Sequence, residues 1–154
     1  MEQIVAAVRG FDGAFVRVSE PGGDAPEAAW GDAFFYYAPD GRPPANAQPY
    51  GTVVTGDLPG DTASALAPAG RWRVNVQVDP ATFRALTGEE PRALARPRDH
   101  TAADLVLPHP VYGPLGWIAV VNPDRTAGTV LRLLRVAHDA ARARHARRHG
   151  TAGG

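Results

Sequence analysis

The chain contains no cysteine and no lysine. Without cysteine there are no disulfides, no thiolate metal sites and no cysteine nucleophile. Without lysine, all sixteen basic residues are arginine. With abundant alanine, glycine and proline, this is the bias of a GC-rich genome and points to an actinobacterial source. It also means that an arginine here often stands where lysine would serve. No apolar run approaches the roughly 20 residues needed to cross a bilayer. Met1-Glu2-Gln3 lacks the basic start of a secretory signal, which leads by elimination to a cytoplasmic protein. A phosphate-binding loop, a dinucleotide fingerprint and a nucleophile elbow are all missing, so no cofactor is expected. Formal net charge is zero but unevenly spread: residues 1–90 hold six arginines against twelve acids, and residues 91–154 hold ten against four. The basic half can meet an anionic ligand or a nucleic acid, or it can simply attract the acidic half.

The 154 residues suit one domain with a core of its own. We assign residues 1–149 to that domain and 150–154 to a disordered tail. Glu2 to Val8 reads as a short helix stopped by Gly10, and Ala14 to Val18 as a strand. The aromatic stretch Trp30 to Tyr37 and the segment Tyr50 to Thr55 are further strands. Gly56 to Gly70, rich in glycine, proline and alanine, is a loop. Trp72 to Val78 alternates: Trp72, Val74, Val76 and Val78 face the core, and Arg71, Arg73, Asn75 and Gln77 face away. Asp79 caps a helix with Pro80 in its first turn, and Gly88 ends it. Residues 89–98 read as a mobile loop. Thr101-Ala102-Ala103-Asp104 has capping spacing for a short helix running to Leu107. Trp117 to Val121 is a buried strand. Thr126 to about Arg147 is the longest helix, packing through Val130, Leu134, Ala137 and Ala141. The expected fold is α+β: a single antiparallel sheet of about five strands, with N- and C-terminal helices and one inserted helix packed mainly on one face.

Two segments carry a resemblance. One is His109-Pro110-Val111-Tyr112-Gly113-Pro114-Leu115-Gly116-Trp117, leading into a strand and a final helix. The other is Gly31-Asp32-Ala33-Phe34-Phe35-Tyr36-Tyr37 together with Trp72-Arg73-Val74-Asn75-Val76. Together they resemble an actinobacterial family of unknown function, over most of the chain. The element order also resembles the MmcQ/YjbR-like proteins, which place a histidine-bearing loop, a tryptophan-led strand and a C-terminal helix in this sequence. That resemblance implies a small α+β sandwich and a suggestion of nucleic-acid binding. The lysine those proteins carry between histidine and tryptophan is absent here.

His109, clamped between two prolines, is the leading catalytic candidate, because a free imidazole exchanges protons near neutral pH. The alternative is a buried imidazole bonded to backbone. Tyr112 is a candidate acid or ligand donor, or a packed ring closing the loop. Asp104 is a candidate base, or a helix cap. Arg73 and Asn75, on one strand face, can orient a carboxylate or amide. Tyr36, Tyr37 and Trp117 are candidate walls of an apolar site, or core. His145 and His149 have one-turn spacing on an arginine-rich helix but no carboxylate nearby, so no metal site is assigned.

These residues lead us to expect a small-molecule-binding pocket protein. Its catalytic form would be a cofactor-independent acid/base enzyme, of isomerase, cyclase or lyase type, using His109. The alternative is a non-catalytic, YjbR-like binding module that meets nucleic acid through its C-terminal arginines. No membrane partner is expected. Oligomeric state is not legible.

Overall fold

The computed structural model describes residues 1–150. Its elements run α1 (Glu2–Arg9), β1 (Ala14–Val18), β2 (Ala33–Tyr37), β3 (Gly51–Val54), β4 (Arg73–Gln77), α2 (Pro80–Thr87), β5 (Leu107–Pro108), β6 (Trp117–Val121) and α3 (Ala127–Gly150). The six strands form one sheet in the order β1-β2-β3-β4-β6-β5. Every paired neighbour is antiparallel. The fold is α+β, as the order of helical and alternating segments predicts. The expected tail falls mainly on residues 151–154, outside the described residues, while Gly150 belongs to α3.

One face of the sheet carries the main core. Phe35, Val53, Val74, Val76, Ile118 and Val120 are fully buried and pack with Val8 of α1, Phe83 of α2 and Val130 and Leu134 of α3. Alternation puts them there, since Val74 pairs with Val53 on one side and Val120 on the other, all pointing the same way. Burying side chains of this size contributes roughly 1.5–3 kcal/mol each. Gly51 lets α3 approach closely: a Cβ at that position would lie 2.8 Å from Leu134 Cδ2. His138 of α3 is also buried. Its Nδ1 lies 2.9 Å from the Tyr50 hydroxyl and its Nε2 lies 2.7 Å from the Asp12 carbonyl, so one ring ties α3 to the α1–β1 turn.

The opposite face carries Arg73 and Asn75, as alternation predicts, but neither meets solvent. Two long connections cover it. Residues 55–72 contribute Leu58, Asp61, Ser64 and Leu66, and residues 98–112 contribute His109. Leu66 joins Val54 and Val121 in a second, smaller core beneath these loops.

Helix α2 starts and stops where the sequence indicates. Asp79 accepts from the Thr82 N–H at 2.8 Å, and Gly88 ends the helix at φ 78°. Three local expectations are corrected. No helix forms over 101–107, because the Thr101 N–H and hydroxyl both donate to Asp99 (3.0 and 2.5 Å). Asp104 there takes φ 59° and donates its N–H to the Val121 carbonyl. The chain is thereby drawn along β6, and Leu107–Pro108 becomes a sixth, edge strand, where a proline is tolerated. Residues 89–98 are tied down: the Glu89 carboxylate accepts from Ala95 N, Arg96 N and Arg98 Nη2. The strand expected from Trp30 begins at Ala33, because Glu27–Ala29 form a 3-10 turn and Gly31 sits at φ 92°.

Candidate functional site

Arg73 organises the covered face of the sheet. It is only 1 % exposed and spends its whole guanidinium on protein partners. Nε donates to Asn75 Oδ1 at 2.8 Å. Nη1 donates to Asp61 Oδ1 and Ser64 Oγ, both at 3.0 Å, and Nη2 donates to Asp61 Oδ2 at 2.5 Å. Asn75 passes the chain on, donating to Thr52 Oγ1 at 2.9 Å. Fork-on-carboxylate geometry makes the Arg73–Asp61 pair strong and directional. Burial alone would raise the Asp61 carboxyl, but the Arg73 hydrogen bonds and charge outweigh it and hold it below its ordinary value. Asp32, on the same face, moves the other way: burial raises it despite two hydrogen bonds from Thr55.

His109 closes this cluster from above and is 4 % exposed. Its Nδ1 accepts from the main-chain N–H of Val111 at 3.0 Å and of Tyr112 at 2.9 Å. Both ring nitrogens therefore meet N–H donors, because Arg73, which can only donate, faces Nε2. That atom lies 3.1 Å from Arg73 Nη2 and 3.9 Å from Asp61 Oδ2. A second proton is disfavoured at either nitrogen, since Nδ1 faces two amide hydrogens and Nε2 faces the guanidinium. Burial and the neighbouring Arg73 charge push the imidazole down to about 4, and Asp61 only partly offsets them. Near neutral pH this is a fixed, uncharged imidazole that holds the 109–112 turn against the sheet.

The remaining sequence candidates do not gather around it as a catalytic set. Tyr112 tilts its ring against His109 with centroids 4.9 Å apart and leaves its edge in solvent. Asp104 caps α3: its carboxylate accepts from the N–H groups of Asp124, Arg125 and Thr126 and from the Thr126 hydroxyl. Those bonds, led by the Thr126 hydroxyl, hold it far below the ordinary carboxylate range. Of the two readings of Asp104, base or cap, its bonds are those of a cap, made to α3 and not to a helix of its own. Tyr36 is buried on the Asn75 face, with Arg17 stacked over its ring at 5.5 Å. Tyr37 lies on the other face, edge-on to His138 and His145. Trp117 is half-buried beside Gln77, on the Asn75 face. His109, Arg73 and Asn75 converge, through Arg73, in the interior, with Tyr112 against His109 from outside. Asp61, Ser64 and Thr52 complete the cluster unannounced. The one available signal was an arginine on an alternating strand, which needs a carboxylate once it is covered.

Open space lies elsewhere, where β4 runs into α2. Two grooves flank that junction and share Gln77 and Val78. One, of about 250 Å³, runs between the junction and α3 and is lined by Tyr50, Leu133, Val136, Ala137 and Arg144. The other, of about 420 Å³, is lined by Pro91, Arg92, Pro114 and Leu115 among others. Val136 is 57 % exposed and Leu115 69 %, so each groove holds one of the chain's most exposed large apolar side chains. Among the described residues, no group of three or more histidine, aspartate or glutamate side chains is placed to hold a metal ion. No helix there is long and apolar enough to cross a membrane.

A protein-family model matches residues 1–150. The chain belongs to DUF6194, a family of unknown function. No curated protein and no solved structure matches it. The DUF6194 match takes in every named element, both covering loops and both grooves.

Proposed function

We propose that this DUF6194 protein is a small-molecule-binding protein that holds its ligand at the β4–α2 junction without acid/base chemistry at His109. The observation that carries this reading is the separation of the two features. The titratable cluster is buried except at one edge of Asp61 and is bonded within itself, while concave, largely apolar surface opens at Gln77 and Val78. Ligand sites are of that kind, apolar with a few placed polar groups. The full occupation of His109 Nδ1 by main-chain N–H groups favours a binder over the acid/base enzyme.

The test is a ligand-library titration followed by amide chemical shifts. Binding should move Gln77, Val78 and the α3 residues facing them. Ala140→Trp, on the exposed side of the same groove, should abolish it, and His109→Asn should leave it intact. Shifts centred on residues 109–112 and lost in His109→Asn would overturn this reading in favour of the acid/base site.

The same proposal includes a cytoplasmic location, an actinobacterial source and the YjbR-like element order, supported by a strand opening at Trp117 and followed by α3. Nucleic-acid binding is the weaker reading. Arg144, Arg147 and Arg148 are exposed on one side of α3, but Arg142 faces roughly the opposite side, and three arginines at the last turns of one helix make a short basic patch.

A further inference from the structure

We infer that the ligand of the α3 groove is an organic monoanion with an apolar body, its carboxylate or equivalent group held by Arg144 and Gln77. This rests on the binding reading above and adds the chemical class.

Several polar groups in the groove are already used. The Tyr50 hydroxyl is bound to His138 Nδ1. Both Asp79 carboxylate oxygens are taken by Thr82, one through its N–H and one through its hydroxyl. That leaves the Gln77 amide and the Arg144 guanidinium, both exposed, and neither has a hydrogen-bond or ion-pair partner among the described residues. Unpaired arginines are found elsewhere on the surface, where solvation explains them. Arg144 differs in standing at an apolar concavity, walled by Leu133, Val136 and Ala137. A guanidinium presents paired donors that match a carboxylate or phosphate, whereas the groove's one carboxylate, Asp79, is already engaged by Thr82 through both oxygens. A volume of about 250 Å³ suits a small ligand, below the range of drug-sized sites.

The experiment titrates wild type, Arg144→Gln and Ala140→Trp with octanoate and 4-phenylbutyrate, with the matched primary amides, and with octylamine, reading amide shifts at low salt. Expected for wild type is saturable binding of both carboxylates, at least about tenfold tighter than the amides, with the amine weakest. In Arg144→Gln the carboxylates should fall to the level of the amides. A rise of salt should weaken carboxylates alone. If Ala140→Trp abolishes binding but carboxylates and amides bind wild type equally, the anion assignment is overturned and the groove stands as a neutral-ligand site. If wild type shows no saturable binding of any probe in the groove, both the ligand class and the binding reading at α3 are overturned.

Discussion

Truncating Arg73 to alanine tests how the second face of the sheet is held. The side chain is 1 % exposed, and its removal strands the Asp61 carboxylate, Ser64 and Asn75 together. Removing one partner of a buried ion pair costs roughly 3–5 kcal/mol, mostly because the other charge is left buried and unpaired. Asp61 keeps 15 % of its side chain exposed, so water can reach one edge of the stranded carboxylate. We therefore expect the low end, about 3 kcal/mol. At roughly 2–4 °C per kcal/mol for a domain of this size, the melting temperature should fall by about 10 °C. Urea titration should show a lower midpoint at unchanged slope, which separates lost stability from lost cooperativity. The double variant Arg73→Met with Asp61→Leu removes both charges, fills similar volume, and should recover most of the loss. Should Arg73→Ala fold too poorly to measure, Asp61→Asn keeps the shape of the cluster and should cost about 1.5–3 kcal/mol. A loss below about 1 kcal/mol in Arg73→Ala, or a double variant as unstable as the single, would refute the idea that this pair anchors the two loops.

In the fold His109 ionises near 4 against 6.5 when free, so between those values the unfolded chain binds the extra proton. Stability from this group is complete above pH 6.5 and is lost as pH falls towards 4, by on the order of 3 kcal/mol. The depressed Asp61 carboxyl extends the loss to lower pH. His109→Asn offers a comparable acceptor to the Val111 and Tyr112 amides but cannot titrate. Its urea midpoint should therefore change less between pH 7.5 and 4.5 than that of wild type, and equal slopes would count against the neutral, locked imidazole. Gly51→Ala would place a Cβ 2.8 Å from Leu134 Cδ2, 3.1 Å from Phe35 Cδ2 and 3.3 Å from the Asn75 carbonyl. Overpacking of this kind costs about 1–3 kcal/mol by urea titration, and shaving the neighbour with Leu134→Val should return part of it.

The sequence alone determined those features whose cause is local. Alternation over Trp72–Val78 placed Val74 and Val76 in one face and Arg73 and Asn75 in the other, since a strand has no other period. Asp79-Pro80 and Gly88 delimited α2, because capping and left-handed termination involve residues only a few positions apart. The stripe of Val130, Leu134 and Ala137 oriented α3 onto the sheet. Tertiary structure alone decided what covers the polar face. Arg73 finds Asp61 in a connection that spacing marks only as loop, and Asp104 caps a helix more than twenty residues downstream instead of starting its own. His138 reaches Asp12 across 126 positions. No periodicity encodes such pairings: they form when the sheet closes and brings distant donors and acceptors together in a space without water to satisfy them. The same closure sealed the histidine that looked most reactive in the sequence and opened the grooves at a junction the sequence marked only as the start of a helix.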